Sequence, residues 1–268
     1  MDDRTLIANR VDGILTLTLN RPERKNALDD STIQHLQDEL RVARDDVGIK
    51  ALVVTGAGGD FCSGADVGAE RRPGHPVDRM RWFGDTALLL HEMPKPVIAK
   101  VSGVAVGAGC NLAIAADVVV ATPDARFSEI FSRRGLSVDF GGTWLLPRVV
   151  GLQQAKRLAL LAEIVDAEEA HRIGLVTWVK EAAEIDGFVD DLARRFCQGP
   201  PVALAQTKAM LDQSSAIGFR DALDNEARAA AINLATDALE ARRAFVEKRE
   251  PTFDGGWLLD PVAAHTTT

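Results

Sequence analysis

Cysteine is scarce in this chain: Cys62, Cys110 and Cys197 are the only three in 268 residues, and no two have CxxC spacing. An odd, unpatterned set reads as free thiols in a reducing compartment, so a cytoplasmic setting is expected. The five histidines, at 35, 75, 91, 171 and 265, show no ligand spacing, and no metal is expected. No Gly-Lys dipeptide occurs, which removes a phosphate-binding P-loop. No serine has glycine two residues away on both sides, which removes a nucleophile elbow. Gly107-Ala108-Gly109 opens like a dinucleotide fingerprint, but Leu112 stands where its third glycine belongs. Positive charge is also short. With 31 Lys and Arg against 39 Asp and Glu the net charge is −8, which argues against nucleic acid or an anionic membrane as partner. The opening MDDRTLIANR has no basic segment before an apolar core, so no secretory leader is expected. The longest weakly polar run, 101–116, is shorter than a membrane span and contains Ser102, three glycines and Asn111.

What is present is an ordinary globular composition, 46% hydrophobic and 26% charged, on a chain long enough for one large domain with an appendage. Residues 14–19 alternate apolar and threonine, the pattern of a half-buried strand. Asp29, Asp30 and Ser31 offer N-caps to a helix whose Ile33, Leu36, Leu40 and Ala43 share one face. A buried strand at 51–55 runs into a glycine-rich loop, and a helix over 77–93 stops before Pro94. Strands at 14–19, 51–55 and 97–101, separated by helices, predict a repeated strand–helix unit that buries its sheets by stacking. Residues 125–131 are expected to be extended and 133–142 a loop, followed by short helices at 144–150 and 152–161. Beyond 182 the pattern is helical: 182–196, 202–212 and one long helix over 219–248, with Gly199-Pro200-Pro201 marking the break.

The chain is organised around 96–121, PVIAKVSGVAVGAGCNLAIAADVVVA. A buried strand leads into a turn of small residues at which a helix starts, so free backbone N–H groups can be aimed at an anion. A second small-residue turn, Phe61-Cys62-Ser63-Gly64-Ala65-Asp66, also follows a buried strand. Either turn alone reads equally as close helix-on-sheet packing; together they suggest two halves of one anion-stabilising site. Cys62 and Cys110 read as structural buried thiols, with no histidine near in sequence. Asp66 reads as a loop cap before a catalytic carboxylate. Asp139, among apolar neighbours and before Gly141-Gly142, is open between two roles. It is a partly desolvated proton carrier, or a cap for the helix starting near Thr143.

Five ordered stretches make the chain resemble the crotonase superfamily of enoyl-CoA hydratases and isomerases: LTLNRPERKNAL, GAGGDFCSGADV, KPVIAKVSGVAVGAGCNLAIAADVVVAT, the ARF to GGTWLLPR region, and AFVEKREPTF. The resemblance covers nearly the whole chain. It implies an α/β fold, a crotonase-like spiral of ββα repeats with a helical C-terminal oligomerisation region. Residues 1–198 would form the core with the acyl-CoA site. Residues 199–268 would form the region for trimerisation and CoA-site completion. It also implies that the backbone amides of Ala65 and Ala108 hold the thioester oxygen of an acyl-CoA, each donor being worth on the order of 3 kcal/mol as enolate charge builds. Hydratases of the family carry two glutamates, whose positions hold Asn111 and Phe131 here, and neither residue can act as a general base. Glu129 lies two residues short of the second position.

The chain resembles more closely the 1,2-epoxyphenylacetyl-CoA isomerase subgroup of phenylacetate breakdown, which has an aspartate where Asp139 stands. One carboxylate can remove a proton and return it elsewhere, so an isomerase with Asp139 as sole acid–base is implied. The alternatives are an enoyl-CoA hydratase of fatty acid metabolism using Glu129 or Asp139, and a non-catalytic acyl-CoA binding protein. For the CoA moiety the resemblance implies Lys25 near the phosphates and backbone groups of Ala27, Gly64, Ala65, Asp66, Val67 and Gly107. Phe245 and Lys248 from the tail, of this or a neighbouring subunit, would complete the site; Lys25 is the local basic point an anionic CoA needs on an acidic protein, though a lone surface lysine by itself is unremarkable. The acyl pocket would be lined by Trp82, Phe83, Phe131 and Trp144. No cofactor beyond the substrate's own CoA and no metal is expected, and the assembly would be a homotrimer or a dimer of trimers.

Overall fold

The computed structural model describes residues 4–70 and 72–257; His265 and the end of the 199–268 region lie outside them. The chain opens with a hairpin of β1 (Leu6–Val11) and β2 (Ile14–Leu19), antiparallel, turned by Asp12 and Gly13 at φ 50° and 81°. Asp-Gly with both residues left-handed matches the twist of the two strands it joins. In α1 (Asp30–Asp45) Asp29 alone of the three candidates caps the helix, its side chain accepting from the Thr32 amide at 2.7 Å. Ile33, Leu36, Leu40 and Ala43 are buried, as their spacing expects.

After α1 the chain alternates strand and helix: β3 (Ala51–Gly56), α2 (Pro76–His91), β4 (Val97–Val101), β5 (Val104–Val106), α3 (Ala108–Ile114) and β6 (Val118–Ala121). Then come β7 (Arg126–Ser128), a 3-10 turn at Ile130–Arg134, α4 (Gly142–Val150), α5 (Leu152–Leu161), β8 (Ile164–Asp166), α6 (Ala167–Arg172), β9 (Trp178–Val179) and α7 (Ile185–Cys197). The main sheet runs β1-β2-β3-β4-β6-β9, parallel from β2 onward. Parallel neighbours require crossovers: α1, α2 and α3 supply the first three, and the stretch through α4, α5 and α6 joins β6 to β9. A smaller sheet, β5-β7-β8, stands apart with one parallel and one antiparallel pairing. β3 and β4 are buried nearly throughout, as apolar runs without alternation should be. No helix among the described residues is long and apolar enough to cross a membrane.

Two expectations are corrected. The extended segment over 125–131 is a strand only to Ser128, after which Glu129 leads into the 3-10 turn. The single helix over 219–248 is two, α9 (Phe219–Leu234) and α10 (Ala238–Glu247), preceded by α8 (Pro201–Gln213). At the break, Thr236 donates its hydroxyl to the carbonyls of Ile232 and Asn233, and the Asp237 carboxylate accepts from the Gly255 amide. Such side chains compete with helix backbone bonds without any glycine or proline to announce it. The chain divides into two compact units, Met1–Arg194 and Arg195–Thr268. Within the second, α8 has no fully buried residue, and α9 and α10 have one each, Ala229 and Ala244.

Candidate active site

The two small-residue turns are laid side by side by backbone bonds. The Cys62 amide donates to Val104, and the Val106 amide donates to Cys62, at 2.8 and 2.9 Å. Gly109 sits so close that a methyl there would fall 2.2 Å from the Cys62 carbonyl oxygen. Gly64 has φ +94°, and a methyl on it would lie 2.7 Å from the Val106 carbonyl and 3.5 Å from the Ala108 nitrogen. Only glycine fits such a left-handed, close-approach position.

Ala65 bridges Leu28 in parallel fashion. Its flanking groups make that pairing, with the Leu28 amide donating to Gly64 and the Asp66 amide to Leu28. Pairing alternates along an extended segment, so the Ala65 amide faces the other way and has no backbone acceptor among the described residues. Ala108 opens α3, where a helix leaves its first N–H groups unpaired. Among the described residues, then, two unpaired amides sit on adjoining turns, the turns the sequence marked and the two residues the resemblance named.

Cys62 and Cys110 are buried and make no disulfide. Burial pushes the Cys62 thiol up to about 12, and Cys110 is raised by burial and then by the neighbouring Glu129 charge. Neither is a nucleophile at neutral pH. Asp66 is a loop tie, its carboxylate accepting from the Gly68 amide and from Arg21. Burial acts to raise its pKa, but those bonds and the Arg21 and Arg24 charges together outweigh burial and leave it below the usual value.

Asp139 sits between the 3-10 turn and α4. Its side chain does not cap that helix: the N-cap is Gly141, with no side-chain bond, and Asp139 offers only its carbonyl, to the Gly142 amide. The capping alternative therefore falls. Its Oδ1 is buried and accepts nothing, and burial raises the pKa to about 6. The loop is held from two sides. Phe140, with a left-handed φ of 53°, sets its ring edge-on against Phe83 at 5.0 Å. Asn111 Nδ2 donates to the Asp139 carbonyl at 2.9 Å, and Gly142 packs so tightly on Asn111 that a methyl would lie 2.4 Å from that nitrogen. A positive φ on a bulky residue costs about 1–2 kcal/mol, which the Phe83 contact must offset.

Glu129 joins the same cluster. It is 1% exposed, takes the Asn111 amide at 3.4 Å on Oε2, and leaves Oε1 without a partner. Burial first, then the charge of Asp139, lift its pKa to about 7 against the hydrogen bonds of Cys110 and Asn111. Glu129 follows directly on β7, whose Phe127 and Ser128 are both buried. Phe131 is also buried, its ring beside Gly107, where a methyl would meet it at 3.6 Å.

The remaining expected residues are more scattered. Lys25 is exposed, left-handed, and paired with Asp60 at 3.2 Å. The Ala27 carbonyl accepts from Arg21 at 2.7 Å, and Val67 is exposed. Trp82 carries the Arg72 guanidinium 4.5 Å over its ring. Trp144 is sandwiched by Arg148, 3.7 Å over the ring, and His91, edge-on at 5.0 Å. Among the described residues no ring contact joins either tryptophan to Asp139 or Phe83. Phe245, 85% exposed, and Lys248, left-handed, belong to the second unit.

A family model described as Enoyl-CoA hydratase/isomerase matches residues 9–256. The chain is 38% identical over 251 residues to a 1,2-epoxyphenylacetyl-CoA isomerase of Escherichia coli K12, covering 91% of this chain and 95% of that one. It is 34% identical over 254 residues to a crotonyl-CoA hydratase of Syntrophomonas wolfei, covering 92% and 97%. The crystal structure of an enoyl-CoA hydratase/isomerase from Cupriavidus metallidurans CH34 superposes with a TM-score of 0.86 at 35% identity, covering 94% and 96%.

Proposed function

The chain belongs to the crotonase superfamily, in the enoyl-CoA hydratase/isomerase family, and from that premise we propose that it isomerises an acyl-CoA thioester with Asp139 as acid–base. The thioester oxygen lies between the Ala65 and Ala108 amides. Asp139 removes a proton, and the C–H electron pair moves into the conjugated system, leaving an enolate whose negative oxygen the two amides stabilise. Asp139 then returns the proton to a different carbon, so no oxidant, metal or net water is consumed. The observation that carries this reading is the buried, unpartnered Oδ1 of Asp139, with Asn111 and Phe131 at the family's two glutamate positions. A carboxylate with pKa about 6 is ionised at neutral pH yet basic enough to act.

The CoA moiety is assigned to Lys25, to backbone groups of Ala27, Gly64, Ala65, Asp66, Val67 and Gly107, and to Phe245 and Lys248. Asp66 and Ala27 would offer the capacity left beyond their bonds to Arg21. The acyl group is assigned to Phe83 and Phe131, with Trp82 and Trp144 at its outer end. The assembly is proposed as a trimer or a dimer of trimers in the cytoplasm. A second reading, hydration of a 2-enoyl-CoA, is favoured by the place of Glu129 beside Asp139. Incubation with 3-enoyl- and 2-enoyl-CoA in deuterated buffer separates the readings. Interconversion of the two supports the isomerase, and accumulation of 3-hydroxyacyl-CoA supports the hydratase. Binding with neither product and no exchange at C2 marks a non-catalytic binder.

A further inference from the structure

A single-base mechanism leaves Glu129 without a part, and its surroundings differ from those of the structural acids. Those are tied to arginine: Asp66 to Arg21, Glu169 to Arg157 and Arg172, Glu240 to Arg249. Glu129 has no cation against it among the described residues; its partners are the Asn111 amide and the Cys110 thiol. The titratable groups facing it are Cys110 from α3 and Asp139 from the loop before α4. The Asn111 amide nitrogen reaches both Glu129 Oε2 and the Asp139 backbone carbonyl, so one side chain ties Glu129 to the loop that carries Asp139. Glu129 Oε1, Asp139 Oδ1 and Asn111 Oδ1 are each buried with no hydrogen-bond partner among the described residues. Two ionised carboxylates in such a place would repel with nothing to offset them, whereas one charge and one acid are compatible.

We propose that Glu129 is the proton-holding partner of Asp139, remaining a carboxylic acid while Asp139 is ionised, so that the pair works with one negative charge. Glu129 is a positioning residue: it acts through Asn111 and through the charge on Asp139, while Asp139 alone touches the reacting carbon. The more deeply buried of the two keeps the proton, in keeping with about 7 for Glu129 against about 6 for Asp139. This inference rests on the isomerase reading.

The test is the pH profile of kcat and KM for 3-enoyl-CoA isomerisation by wild type and Glu129→Gln. Wild type should rise as Asp139 ionises and fall as Glu129 does; the amide, a neutral stand-in for the acid, should abolish the alkaline fall. At the optimum, kcat should fall by far less than in Asp139→Asn, the change showing mainly in the pH profile. Retention of the alkaline fall in Glu129→Gln overturns the proposal. So does a loss as deep as that of Asp139→Asn, which would make Glu129 a base in its own right. Infrared difference spectra of wild type guard against a variant that does not fold. A carboxylic acid band that persists while one carboxylate forms, and vanishes at higher pH, supports the pairing; simultaneous loss refutes it. Wild type that performs no isomerisation sinks the isomerase reading instead, and the infrared band still decides the protonation of Glu129.

Discussion

Glu129 is buried and Asp139 half-buried, with no cation against either among the described residues, so their ionisation is paid for in stability. A carboxyl whose folded pKa is raised binds its proton more tightly folded than unfolded. Its contribution is therefore full below the unfolded value near 4 and is lost as pH climbs through about 6 for Asp139 and about 7 for Glu129. Glu129→Gln should accordingly raise stability at pH 8 by up to about 3 kcal/mol, and change it little at pH 4, read by urea unfolding at both. An equal effect at the two pH values would contradict the burial argument. The thiols offer a second check. Cys62 and Cys110 should resist alkylation in the folded enzyme at pH 8, while half-buried Cys197 reacts first, as mapped by peptide mass spectrometry. At this scale the sequence was legible at the two turns, 61–66 and 103–109, which their small residues marked, while the resemblance alone singled out the amides of Ala65 and Ala108 within them. The place of Glu129 was not legible, because it depends on where the chain leaves β7, a turn that periodicity does not encode.

The site depends on elements meeting at glycine. β5 lies alongside Cys62, and α3 begins against the Cys62 carbonyl, with Gly109 at the contact. Gly109→Ala forces a methyl into backbone that has no flexible end to yield. Overpacking of this kind costs about 1–3 kcal/mol, roughly 2–4 °C of melting temperature for each kcal/mol. Because the displaced atoms join the two amide-bearing turns, kcat should fall by about tenfold or more with little change in substrate binding. A variant that melts early yet keeps wild-type kcat would show that the amides are not set by this contact. Strand and helix positions were readable from alternation and capping residues: 14–19, 51–55, 97–101 and the α1 face all stand where expected. β1 was missed although Asp12-Gly13 marks its hairpin, and the α9–α10 break was missed because Thr236 and Asp237 interrupt a helix without a change in apolar spacing.

At the scale of the whole molecule, the second unit hides little of itself. α8, α9 and α10 contribute two fully buried residues between them, while Leu234, Phe245 and Val246 are exposed. Such exposed apolar side chains are what the proposed trimer interface would cover. Light scattering should give three or six times the 28.9 kDa chain mass, and a monomer would contradict the proposed assembly. The strand–helix repeat and the helical run beyond 182 were legible in apolar spacing, while the ββα spiral came from the resemblance. The subunit count was not, because it depends on faces that meet only between chains. The most direct test of the account is turnover of 3-enoyl- and 2-enoyl-CoA by wild type and Asp139→Asn in parallel. The account predicts interconversion by wild type and a loss of about 10³-fold or more in kcat on substitution, with thioester binding intact. Isomerisation that survives the loss of Asp139, or formation of 3-hydroxyacyl-CoA that does, would contradict it.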